Sequence, residues 1–285
     1  AVITVGWVAL GDDATTAGWA LLVVKLLAVV VAALVRVVGQ RRILFRVVRS
    51  DQAAPAGRPP APGAVRLSVV LPVRRVRAAL APTLGAGEVE VVVVDDGSGD
   101  GTAAAAEAAG ADRVVAHPQN RGKGAAVRSG MAVARGRTVA FTDTDLAYDP
   151  SQLLAVLAAV ESGWDVAVGS RRHTDAVTLV RARRLREVGG RLINLLTQVV
   201  LLGNYRDTQC GLKGCRSDVA PVAFGQGLID GFAFDIEMFH LVERNGLSLV
   251  EVPVEVANSE DSSVRVVRDG LRLIRDLFRI RRHAA

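Results

Sequence analysis

Two carboxylates one residue apart, Asp143 and Asp145 in Phe141-Thr142-Asp143-Thr144-Asp145-Leu146, close an apolar run that reads as a β-strand. Side chains at i and i+2 of a strand point to the same side, so the pair can converge on one hard cation if the backbone turns there. A divalent ion held by two protein carboxylates keeps open positions, which is how Mg²⁺ is usually held beside a substrate diphosphate. Alone, D-x-D is a weak signal. Two loops upstream add weight to it.

The first loop follows Val91-Val92-Val93-Val94, four valines that read as a strand buried on both faces, the pattern of a parallel sheet. Asp95-Asp96-Gly97-Ser98-Gly99-Asp100-Gly101-Thr102 continues it, two acids and a glycine-rich turn before a helix that Asp100 or Thr102 can cap. The second loop, Asn120-Arg121-Gly122-Lys123-Gly124, opens another helix. A cation and free backbone N–H groups at a helix N-terminus suit an anion such as a diphosphate. Neither loop is a dinucleotide fingerprint or a P-loop. Gly97, Gly99 and Gly101 are spaced G-x-G-x-G, and His117 stands where a P-loop needs its first glycine.

These loops need a scaffold, and the sequence supplies one. Strand-like runs at 67–71, 89–94, 113–116, 138–141, 166–169 and 249–254 alternate with helical patterns at 102–109, 124–134, 150–162 and 234–245. Such alternation predicts an α/β fold with a mostly parallel central sheet and ligands at the carboxyl ends of its strands. The acidic motifs sit at such ends.

The flanks read differently. Residues 17–38 are long and apolar enough to span a bilayer. Lys25 costs about 3 kcal/mol at a helix centre, but roughly a dozen Leu and Val return about 0.3–0.6 kcal/mol each. Arg36, Arg41, Arg42, Arg46 and Arg49 follow, so the positive-inside rule predicts a cell-membrane protein with the rest of the chain facing the cytoplasm. The domain reading is an anchor segment at 1–49, a Pro/Gly/Ala linker at 50–64, the α/β domain at 65–260 and a basic amphipathic helix at 261–285. In that last helix Val267, Leu271, Ile274 and Phe278 form the apolar stripe. Residues 192–202, preceded by Arg181, Arg183, Arg184, Arg186 and Arg191, form a second expected membrane contact. A net charge of +6 admits a nucleic acid or an anionic membrane. With 4% aromatics there is no stacking platform, so the membrane is favoured and no nucleic-acid partner is expected. Two cysteines, Cys210 and Cys215, are too few for a disulfide framework or a cysteine-based zinc site, and read as packing thiols.

Taken in order, the Asp95-Asp96-Gly97-Ser98 loop, the Asn120–Gly124 loop and the D-x-D pair are followed by Gly169-Ser170-Arg171, then Asp207-Thr208-Gln209-Cys210-Gly211-Leu212-Lys213, then Phe234-Asp235-Ile236-Glu237. This order resembles family 2 glycosyltransferases of the GT-A fold, and is most similar to their dolichyl- and polyprenyl-phosphate sugar synthase branch. The resemblance covers residues 65–282. It implies an inverting transfer of a hexose or N-acetylhexosamine from a nucleotide-diphosphate sugar to polyprenyl phosphate. It places Mg²⁺ or Mn²⁺ on Asp143 and Asp145, and the nucleotide sugar against Pro72, Asp95, Asp96, Gly97, Arg121, Lys123 and Asp143. The acceptor falls to Arg171, Arg191, Asp207, Gln209 and Lys213. Asp235 occupies the family's general-base position, with Glu237 beside it. A sugar hydroxyl needs such a base. A phosphate monoester is largely dianionic at neutral pH and does not, which leaves Asp235 and Glu237 to orient the sugar or the acceptor. The chain departs from the family pattern at Arg75 and Val76, where members usually carry Asn or Asp followed by Glu, and at Ala147, where mannosyl-transferring relatives often have Gln. A UDP-sugar is therefore preferred over GDP-mannose. The alternatives are transfer to a sugar or lipid hydroxyl, and a catalytically weak nucleotide-sugar-binding protein.

Overall fold

The apolar runs become one sheet. In chain order its strands are β1 (Val65–Val70), β2 (Val89–Asp95), β3 (Arg113–Ala116), β4 (Gly136–Phe141), β5 (Val166–Ser170), β7 (Lys213–Arg216) and β8 (Leu249–Pro253), and in space they run β3-β2-β1-β4-β7-β5-β8. A separate parallel pair joins β6 (Val177–Thr178) to β9 (Glu255–Val256). The structure, a computed structural model, describes residues 58–70, 73–85, 87–143, 147–171, 177–178, 205 and 207–256, with helical positions at 24–25, 28–29, 32, 275–277 and 279–280. The chain divides into two compact units, residues 1–46 and 47–285, and the sheet belongs to the second.

All strand pairings of the large sheet are parallel except those of β7, which runs antiparallel between β4 and β5. The carboxyl ends of β1, β2, β4 and β5 therefore share one edge, and β7 begins at that edge, with Lys213 opposite Phe141 and Val168. Both faces are covered, as a parallel sheet requires. On one face lie α1 (Val73–Leu80) and α4 (Leu153–Glu161), whose Val76, Leu80, Leu153, Val156 and Leu157 pack on Leu67, Val69 and Ala140. On the other lie α3 (Lys123–Val133) and α5 (Phe234–Arg244), burying Val127, Met131, Phe234, Ile236 and Phe239 against Val92, Val139 and Phe141. A short helix, α2 (Thr102–Ala108), follows the glycine-rich turn after β2. Val76, one of the departures from the family pattern, is a fully buried core residue, and Arg75 beside it is exposed.

The described part of the expected linker does not hang free. Arg216 donates to the Pro59 carbonyl (3.0 Å), Ser217 to that of Pro62, and the Ala64 amide to Arg135 O (2.7 Å). Arg58 pairs with buried Asp165. Residues 58–64 are thus strapped to the edge opposite the carboxyl ends of the strands. Among the described residues no helix is long and apolar enough to cross a membrane, and most of the expected 17–38 span lies outside them. The 192–202 segment lies wholly outside them. Of the C-terminal helix, Leu277 and Ile280 are buried in the core cluster and Arg275 and Arg279 are exposed, so at these positions the apolar side faces the domain.

Gly130 shows how closely α3 lies on the sheet. A Cβ there would come 2.6 Å from Val70 Cγ1 and 3.2 Å from Val94 Cγ2. Replacing a mid-helix glycine by alanine ordinarily gains about 0.5–1 kcal/mol, whereas overpacking a core costs about 1–3 kcal/mol. The second effect wins, so Gly130→Ala should lower stability by about 1–2 kcal/mol. The check is a lower urea midpoint at unchanged m-value.

Candidate active site

The carboxyl edge gathers the chemistry. Asp95 and Asp96 end β2, Asp143 follows β4, Arg171 follows β5, and the 207–212 segment leads into β7. Asp95 is nearly buried and accepts from the Ser98 amide (3.0 Å) and hydroxyl, which hold its carboxyl below the usual range.

Asp96 organises the second loop. His117 Nδ1–H donates to its Oδ1 (2.6 Å), with Ser129 Oγ 2.9 Å from the other ring nitrogen. The Arg121 amide donates to the same Oδ1 (3.0 Å) and the Gly122 amide to Oδ2 (2.7 Å). Gly122 needs its glycine, at φ 104° and with a would-be Cβ 2.6 Å from Asp230 O. Burial alone would raise the Asp96 carboxyl. The bonds from His117, Arg121 and Gly122 outweigh it and hold the group below its ordinary value. Asp96 thus fixes the loop that presents Lys123, and the exposed Arg121 side chain stands at its rim. His117 and Ser129 carried no sequence signal, because their partner lies at |i−j| of 21 for the histidine.

Lys123 Nζ reaches Asp143 Oδ1 at 2.6 Å, both side chains about a quarter exposed, and it lies 5.8 Å from the centre of the Phe234 ring. On the carboxylate's other side is Gly211, where a Cβ would stand 1.9 Å from Asp143 Oδ2. An accessible carboxylate that already draws an ammonium, against a wall of bare backbone, is the hard oxygen donor that Mg²⁺ or Mn²⁺ takes. Asp143 fits the expected ion. Asp145, its expected partner, lies outside the described residues, as do Pro72 and Arg191. No cluster of three His, Cys, Asp or Glu suited to a metal occurs among the described residues.

On the far side of β7's leading segment, Arg171 forks onto Asp207 through Nε (2.7 Å) and Nη2 (2.9 Å), and its amide adds a third bond to the same carboxylate (3.1 Å). The Gln209 amide also donates to Asp207 (3.2 Å). Burial would raise Asp207, but the guanidinium and these amides outweigh it and keep it low. The Arg171 side chain remains 41% exposed, so a fixed guanidinium stands at the rim. Thr142 Oγ1, Ser170 Oγ, Thr208 Oγ1 and Gln209 Nε2 are buried along this edge without a hydrogen-bond partner among the described residues.

Lys213 and Asp235 are placed otherwise than the sequence led us to expect. Lys213 is fully buried, and its ammonium bonds Asp235, the Cys210 carbonyl (2.8 Å) and, more loosely, that of Thr208 (3.4 Å). The Phe141 and Phe239 rings lie 5.6 and 5.8 Å from it. Asp235, in the first turn of α5, is 2% exposed. Neither group has a free face for a ligand. Each is the other's counter-ion, because a charge so buried must be paired. Glu237 is likewise occupied, accepting from the Leu228 (2.8 Å) and Ile229 (2.9 Å) amides and stapling that loop to α5. Gly97, at φ 74°, lets the turn after β2 lie on Gln119 and Asn120. The two cysteines are packing thiols: burial pushes Cys210 up to about 11 and Cys215 up to about 12.

The chain belongs to glycosyl transferase family 2, whose profile matches residues 68–221. A dolichyl-phosphate beta-glucosyltransferase of Drosophila melanogaster is 34% identical over 67% of this chain and 62% of its own length. Glycosyltransferase AglD of Haloferax volcanii is 33% identical over 75% of this chain and 37% of its own. The chain thus spans less than two thirds of these curated relatives. Among solved structures, glucosyl-3-phosphoglycerate synthase from Mycobacterium tuberculosis with phosphoglyceric acid matches at TM-score 0.59 and 22% identity, over 76% of this chain and 80% of that one. The same enzyme with Mn²⁺ and UDP-glucose matches at TM-score 0.56 and 21% identity, over 75% and 79%. The fold is therefore α/β, GT-A-like, with a mostly parallel sheet.

The depressed carboxyls set an acid limit. A group whose folded pKa lies below its unfolded value stabilises the fold fully above the unfolded value, and loses that contribution as pH falls through the folded one. For Asp96 and Asp207 the loss lies below about pH 4. Thermal melts should therefore show stability falling steeply below that pH. Asp96→Asn should start lower at neutral pH and fall less steeply on acidification.

Proposed function

We propose that this chain transfers a hexose or N-acetylhexosamine, with inversion, from a nucleotide-diphosphate sugar to a polyprenyl phosphate. The observation that carries the acceptor half is the pairing of Asp235 with Lys213. A hydroxyl acceptor needs a base to take its proton in the transition state. The carboxylate at the family's base position is buried and engaged by an ammonium. An acceptor that arrives ionised needs no such help, and a phosphate monoester does so at neutral pH. Its oxygen forms the bond to the anomeric carbon as the bond from that carbon to the diphosphate breaks. The electron pair leaves with the nucleoside diphosphate, and no proton need move.

The donor half rests on the Asp143 carboxylate and the Asp96-ordered loop. Asp143 and Asp145 would hold Mg²⁺ or Mn²⁺, which when bound offsets charge on the departing diphosphate. Lys123 and Arg121 add cationic charge beside it, at the N-terminus of α3. Arg171, clamped by Asp207, offers the acceptor phosphate a preset fork. The relatives named dolichyl-phosphate beta-glucosyltransferase, and the neighbour crystallised with UDP-glucose and Mn²⁺, support the lipid-phosphate acceptor and the UDP-sugar donor. The segment at 17–38 would anchor the protein in the cell membrane, with the α/β domain on the cytoplasmic side.

The test pairs acceptors. Membranes bearing the protein are given labelled UDP- and GDP-sugars with Mn²⁺, and either a polyprenyl phosphate or the free polyprenol. A mild-acid-labile glycolipid formed from the phosphate but not from the alcohol is expected. Transfer to the alcohol alone would refute the reading.

A further inference from the structure

We propose that Lys213 is a positioning residue of the donor site: by tying the 207–211 segment to Asp235, it holds Gly211 against Asp143 and so fixes where that carboxylate presents its oxygens. The proposal rests on reading Asp143 as a donor-site residue, and is independent of which acceptor is used.

Lys213 touches no ligand, because it is fully buried. An ammonium has three donors, and three acceptors surround this one: Asp235, Cys210 O at 2.8 Å and Thr208 O at 3.4 Å. Both carbonyls belong to the stretch immediately before Gly211. The side chain cannot easily swing away, since Phe141 and Phe239 flank the ammonium. One residue past the bonded Cys210 carbonyl, Gly211 lies so close to Asp143 that a Cβ would stand 1.9 Å from Oδ2 and 2.3 Å from Cγ. The position of this segment therefore limits where the Asp143 carboxylate can lie.

The same ammonium reaches Asp143 by a second route. Asp235 follows Phe234 in the first turn of α5, and the Phe234 ring lies 5.8 Å from the Lys123 ammonium that holds Asp143 Oδ1. One buried charge thus anchors both neighbours of the carboxylate, the glycine wall on one side and the lysine and its aromatic support on the other.

The experiment separates folding from positioning. Lys213→Met with Asp235→Asn removes both charges together, so no ion is left buried and unpaired. Gly211→Ala leaves the pair intact and displaces Asp143 directly. Folding of each full-length variant is followed by thermal melting. Binding of Mn²⁺ with UDP, and of Mn²⁺ with GDP, is measured by calorimetry without acceptor. Both variants should fold, and both should bind the nucleotide that the parent binds about tenfold or more weakly, the usual size of losing a partner behind a metal ligand. A folded double variant that binds as the parent does would overturn the proposal. So would parent-like binding by Gly211→Ala, should the double variant not fold. If the parent binds neither nucleotide, the donor-site reading itself fails, and the proposal with it.

Discussion

A lysine with no exposed surface, bonded to an aspartate with almost none, is the constraint around which this edge of the molecule is arranged. Removing one member of such a pair leaves an uncompensated buried charge and typically costs about 3–5 kcal/mol. Lys213 opens β7, the antiparallel strand between β4 and β5, and Asp235 is the second residue of α5. Their bond therefore joins the sheet to the helix on its face at the place where the site lies. It also removes from chemistry the carboxylate that would otherwise be the base. A structural requirement, that a buried charge be paired, is thereby in keeping with the proposed acceptor, a nucleophile that arrives ionised.

The rest of the edge divides its charges by duty. Asp96, Asp207 and Glu237 accept protein N–H groups and set loops in place. Asp143, Lys123 and Arg171 keep exposed surface and can meet a ligand. Asp96, Asp207 and Glu237 hold a guanidinium or backbone amides in place, so the rim carries preset positive charge. The opposite edge receives the 58–64 strap, which leaves the carboxyl ends of the strands uncovered by that segment.

Much of this was legible in the sequence, for reasons that can be named. Val91 to Val94 announce a strand buried on both faces, and β2 is one through Val92, with Val93 and Val94 half-buried. β7 was not legible. Lys213-Gly214-Cys215-Arg216 lacks the β-branched and aromatic residues of an autonomous strand, and its extended form comes from pairing with β4 on one side and β5 on the other. Helix α1 was not legible because Val73 to Leu80 is only about two turns long and three arginines interrupt its apolar positions. Among the site residues, Asp143 and Lys123 could be placed from their loops. The occupation of Asp235 could not, since nothing local says that a lysine 22 positions earlier will be its partner. The 58–64 strap was hidden because its bonds come from Arg135, Arg216 and Ser217, distant in the chain.

The most direct test of transfer without a protein base is the pH dependence of kcat/KM toward a short isoprenyl phosphate at saturating donor. If the acceptor is the ionising group, the rate should fall below about pH 6, where its phosphate takes up a proton, and stay level above that. Replacing the acceptor by the less acidic phosphonate of the same chain should then move the limb to higher pH by the difference between the two acids. A limb that stays where it was would belong to a protein group, and would contradict the account in which Lys213 keeps Asp235 out of the reaction.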